Sequence, residues 1–155
     1  MARVAVTEQE VHRILQARKI VTADVEWQPK AHQHWVGCEL TVESQLRLTL
    51  HVYANANLMD RSKYSFALIL SCNYRIASFE SGSSHANRHT DDEKWLGEDH
   101  KHRWTELCRD SFAYTPTDME TQSLDSAFRS FCNEIGVDFR GQVEQLPAVQ
   151  PNLGF

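Results

Sequence analysis

Residues 63–80 read KYSFALILSCNYRIASFE, and the fold turns on how this stretch is taken. From Tyr64 to Ser71 apolar residues occupy both alternations ("FALIL"). In a strand that pattern means cover on both faces, so it predicts a central place in a sheet. The chain then turns near Asn73 into a further strand, Tyr74 to Glu80.

Upstream, apolar residues recur with period two, as expected of strands buried on one face. Val21, Ala23, Val25 and Trp27 form one set, Val36, Cys38, Leu40 and Val42 a second, and Leu46, Leu48, Leu50 and Val52 a third. Only Glu43, Ser44 and Gln45 separate the last two sets, which predicts a hairpin, whereas WQPKAHQH makes a looser connection before them. Helical spacing brackets these strands. Thr7-x-x-Glu10 has the form of a capping box, and Val11, Ile14 and Leu15 follow it, giving a helix over about residues 8 to 18. Leu124, Ala127, Phe128, Phe131, Cys132 and Ile135 form one stripe from about Ser123 to Ile135, with Gly136 placed as a C-cap. Helix, strands, helix makes an α+β domain: a mostly antiparallel five- or six-stranded sheet with an N-terminal and a C-terminal helix packed on one face.

With 155 residues, 41% hydrophobic and 24% charged, the chain reads as a single domain over 1–155. No apolar run approaches the roughly 20 residues of a membrane helix, and MARVAVTEQEV turns polar too early for a signal peptide, so a cytoplasmic protein without a membrane partner is expected. Cys38, Cys72, Cys108 and Cys132 lack metal-type spacing and read as buried thiols rather than zinc ligands or disulfides. A net charge of -5 excludes a purely electrostatic nucleic-acid binder, leaving any such contact local.

Between Ser83 and Glu106 lie four of the eight histidines, His85, His89, His100 and His102, in SSHANRHTDDEKWLGEDHKHRWTE. Little aliphatic material and an internal glycine make residues 81–106 read as a histidine-rich functional loop leaving the fifth strand. If Lys101 to Thr105 enter a strand, His100 and His102 point to one side and Lys101 and Arg103 to the other. His-x-His on a strand presents two nitrogens to one ion, and His85 or His89 would complete a divalent transition-metal site. The same imidazoles serve metal-free phosphodiester cleavage, one as base and one as acid, with Lys101, Arg103 or Arg88 steadying phosphate. Against this stands an incidental cluster in which the rings cap backbone groups or pack on Trp95 and Trp104. The segment from His85 to Glu106 carries four Lys/Arg and six acids, so its charge does not make a phosphate groove unaided.

KYSFALILSCNYRIASFE followed by His85 and then His100-Lys101-His102 resembles the small bacterial toxins of the TumE-like type. The matching positions are Tyr64 and Phe66, then Arg75, Phe79 and Glu80, then the histidines, about 40 residues in all. Glu80 stands where that pattern has Asp, and the insertion before His-Lys-His is longer. The resemblance implies a toxin-antitoxin or mobile-element setting, an antitoxin or other protein partner, and nucleic acid as target. Three functions follow: a toxin-like endoribonuclease acting on RNA; a non-enzymatic inhibitor or interaction module from a phage or other mobile element, whose acidic surface engages a basic partner; and a histidine metalloprotein acting on a small molecule.

Overall fold

The computed structural model describes residues 6–31, 34–71, 74–86, 94–105, 109–114 and 123–148; over 82–86, 94–105 and 109–114 it describes the backbone path alone. The elements are α1 (Glu8–Gln16), β1 (Lys19–Val21), β2 (Gln28–Pro29), β3 (Trp35–Thr41), β4 (Glu43–Ser44), β5 (Leu50–Asn57), β6 (Tyr64–Leu70), β7 (Tyr74–Ala86), β8 (Lys94–Thr105), β9 (Arg109–Tyr114), α2 (Leu124–Glu134) and β10 (Val137–Phe139). The fold is α+β. The main sheet runs β2-β3-β5-β6-β7-β8-β9 with every neighbouring pair antiparallel, six longer strands and the two-residue edge β2. A smaller sheet, β10-β1-β4, joins β1 in parallel to β10 and antiparallel to β4.

β6 is central, as its sequence requires. Tyr64, Phe66, Leu68 and Leu70 are buried on the inner face, while Ser65, Ala67 and Ile69 are half-buried on the other. The rings of Phe128 and Phe131 in α2 stand 5.2 and 5.8 Å from that of Phe66, and Phe79 of β7 stacks on Phe66 at 6.0 Å. Val11 and Ile14 of α1 join the same core. Both helices start as the sequence indicates: the Thr7 hydroxyl accepts from the Glu10 amide at 3.1 Å, and Ser123 and Ser126 bond reciprocally in a capping box. Gly136 follows α2 at φ 75°, and a Cβ there would lie 2.8 Å from the Leu15 carbonyl, so the position needs both the conformation and the space of glycine.

Two upstream strands differ from the alternation. The third apolar set begins its strand at Leu50; the Ser44 hydroxyl bonds both the amide and the carbonyl of Leu46, and this local bonding interrupts an extended path and leaves Leu48 exposed. The β3/β5 hairpin stands, but its connection is longer because Glu43 and Ser44 leave to pair with β1. Val21, Val25 and Trp27 are buried while Ala23 is exposed. After Val21 the chain turns to the C-terminal segment, where the Asp24 carboxylate accepts from the Gln142 amide at 2.8 Å and Trp27 Nε1 donates to the Glu144 carbonyl at 2.8 Å. The turn expected near Asn73 lies outside the described residues, as do Cys72 and Cys108. Among those described, Cys132 is buried and Cys38 half-buried, both free thiols. No helix among the described residues is long and apolar enough to cross a membrane.

Candidate functional site

The stretch read as a loop from residue 81 is in large part a hairpin: β7 continues to Ala86 and β8 begins at Lys94. Arg88 and His89 lie outside the described residues. Opposite the helices, the sheet presents a second, polar face. Two rows cross it, each residue paired with the next: Gly37, Asn55, Ser65, Glu80, His100, and Glu39, Tyr53, Ala67, Ser78, His102. Positions 100 and 102 therefore share the polar face, opposite Glu80 and Ser78. Lys101 and Arg103 pair with Phe79 and Ala77, positions on the helix-covered face. Positions 101 and 103 thus fall on the face opposite positions 100 and 102. Position 85 pairs with Trp95, five positions or roughly 15 Å along β7 from Glu80, so the register does not set it beside positions 100 and 102.

Arg75 lies on the polar face. The β6/β7 ladder pairs Leu68 with Ala77 but Ile69 with Arg75, leaving Ile76 as an extra, fully buried residue. This bulge puts Arg75 on the polar face, where its Nη1 lies 3.5 Å from Glu80 Oε1, with about a quarter of each side chain exposed. Between them Ser78 is only 3% exposed, and its hydroxyl has no hydrogen-bond partner among the described residues. Farther along the face His51 Nε2 stands 3.5 Å from Glu39 Oε1. Sequence reading missed Ser78 as a site residue and gave Arg75 and Glu80 no role, because plain alternation sets Arg75 with Phe79 rather than with Glu80.

A carboxylate, a guanidinium and a buried hydroxyl on one polar face, with two histidine positions paired opposite, can move protons and hold an anionic oxygen. Among the described residues no group of three or more His, Cys, Asp or Glu side chains is poised around a metal.

An α+β chain with helices on one side of a sheet and this polar cluster on the other is the class the geometry defines. The chain belongs to the family described as "Family of unknown function (DUF6978)", which matches residues 6–137. Comparison with curated proteins and with solved structures gave no significant match.

Proposed function

We propose that the polar face of β7 and β8 is the centre of a toxin-like endoribonuclease. The observation that carries this reading is the register: His100 and His102 stand opposite Glu80 and Ser78 on the face that bears Arg75. One imidazole removes the 2'-hydroxyl proton, the 2'-oxygen attacks phosphorus, and the other imidazole protonates the departing 5'-oxygen, leaving a cyclic phosphate. Arg75, held beside Glu80, steadies the charge that builds on the phosphoryl oxygens. RNA is the substrate class because the attacking group is its own 2'-hydroxyl. A divalent transition metal held by His100 and His102 would replace this proton chemistry with an activated water, and cleavage in chelator separates the two routes.

The test is incubation of single-stranded RNA and tRNA with the protein across pH 5 to 8.5. Cyclic phosphate ends, a bell-shaped profile and a loss of roughly 100-fold or more in His100→Ala and in His102→Ala are expected. RNA left intact with and without divalent metals overturns the proposal; cleavage that survives the double variant removes these residues from it.

A further inference from the structure

We infer that the groove between residues 23–30 and the polar face of β3 and β5 takes an extended, basic segment of a partner protein, added as a strand to the open edge of β3. This goes beyond the cleavage reading and does not depend on it.

The edge comes first. β2 covers β3 for two residue pairs only, Gln28 with Gly37 and Pro29 with Val36. Past Gly37, no strand among the described residues pairs with β3 on that side. The phase of the ladder is fixed by two bonds: the Lys30 amide reaches the Trp35 carbonyl toward β2, and the Val42 amide reaches the Leu50 carbonyl toward β5. Alternation then turns the amides and carbonyls of Glu39 and Thr41 to the open side. The preceding chain adds no ladder there: Val25 bonds to Gln142 and Glu144, at 2.8 and 3.0 Å, and the Glu26 amide reaches the Cys38 thiol instead of the β3 backbone. An open strand edge is a template for another strand.

Space and charge name the occupant. The groove holds about 520 Å³. Asp24, Glu26 and Glu39 line it against one cation, Lys30. The Lys30 ammonium is drawn to the far end, where it donates to Asn55 Oδ1 at 2.6 Å across Gly37, whose absent Cβ would come within 2.9 Å of the lysine chain. The acids therefore prevail next to Glu39 and Thr41. Glu26 and Glu39 both line the groove beside Cys38. Tyr53 lines the same groove and offers an aromatic face on which a guanidinium stem stacks. Main-chain bonds would supply affinity, and alternate Arg or Lys side chains between the carboxylates would supply selectivity.

The experiment is an amide NMR titration of the full chain with a seven-residue peptide of alternating arginine and valine. Two control peptides carry glutamate for arginine, or N-methyl groups on alternate amides. A Kd of about 100 µM, with shifts centred on Glu39 and Thr41, is expected at low salt. Glu26→Gln with Glu39→Gln should weaken binding by about tenfold, and both control peptides should bind at least as much more weakly. Dispersed spectra confirm that the variant is folded, and Glu26→Gln alone, at an exposed position, serves if the pair is not. No shift at millimolar peptide, shifts mapped elsewhere, or equal binding by the glutamate peptide overturns the inference. Equal binding by the N-methylated peptide overturns strand addition.

Discussion

Arg75 and Glu80 stand 3.5 Å apart on one face of β7 although their positions differ by five, an odd number. In a regular strand such a pair lies on opposite faces. The bulge at Ile76 reverses the alternation, burying Ile76 and turning Arg75 outward in one step. A double-mutant cycle on Arg75→Ala and Glu80→Ala should give a coupling of about 0.5–1 kcal/mol, the size for a partly solvated pair. Chemical denaturation of the four proteins measures it, and a coupling indistinguishable from zero would break the link.

Ser78 makes a contrasting prediction. Its hydroxyl is buried without a partner among the described residues, so Ser78→Ala removes a desolvated polar group and should leave stability unchanged or raise it by up to about 1 kcal/mol. A clear fall in Tm would mean that the hydroxyl is bonded in solution.

Phe66 sits among Tyr64, Phe79, Phe128 and Phe131, at the meeting point of β6, β7 and α2. Phe66→Ala should cost about 3–5 kcal/mol. Leu48, 37% exposed beyond the start of β5, should tolerate serine within about 0.5 kcal/mol. Urea midpoints of the two variants decide whether Leu48 lies outside the core, as placed here.

Lys19 links pH to stability. Its ammonium is buried against the carbonyls of Ile14, Leu15 and Ala17, closing the end of α1, and burial lowers its pKa from 10.5 to about 8. Between those values the unfolded chain holds the proton and the folded one has released it, so this group's contribution to stability rises with pH across the window. Below pH 8 the cost of keeping the charge buried is fully present, roughly 3 kcal/mol at most. Lys19→Met should flatten the dependence of unfolding free energy on pH between 8 and 10; identical slopes for the two proteins would refute this.

The thiols should differ in reactivity. Burial pushes Cys132 up to about 12, and Cys38, half-buried, is also raised, first by burial and further by the Glu26 and Glu39 carboxylates, against a bond from the Glu26 amide that lowers it. At pH 7.5 maleimide should modify Cys38 slowly and Cys132 only on unfolding, read by peptide mass spectrometry. Prompt labelling of Cys132 in the folded protein would contradict its placement.

The sequence made the central β6 legible because both alternations of FALIL are apolar, and both helices legible because their caps and stripes are local. What it hid came from distant pairing. Leu46 and Leu48 keep strand spacing, yet Ser44 bonds to Leu46 and the chain leaves for β1. His100 and His102 could be set on one face by counting, but their neighbours depend on register: Glu80 and Ser78 pair with them, position 85 pairs with Trp95, and Arg75 arrives only through a bulge that simple period-two counting does not predict.

The parallel pairing of β1 with β10 gives the fold a mechanical character. Lys19, Ile20 and Val21 pair with Val137, Asp138 and Phe139 in the same direction, so a pull on the chain before Lys19 and after Phe139 grips opposite ends of the pair. All its hydrogen bonds are then loaded together in shear instead of parting one after another as in a zipper. Tension applied there should meet one abrupt yield, whereas peeling β9 from the far edge of the main sheet should proceed bond by bond at lower force.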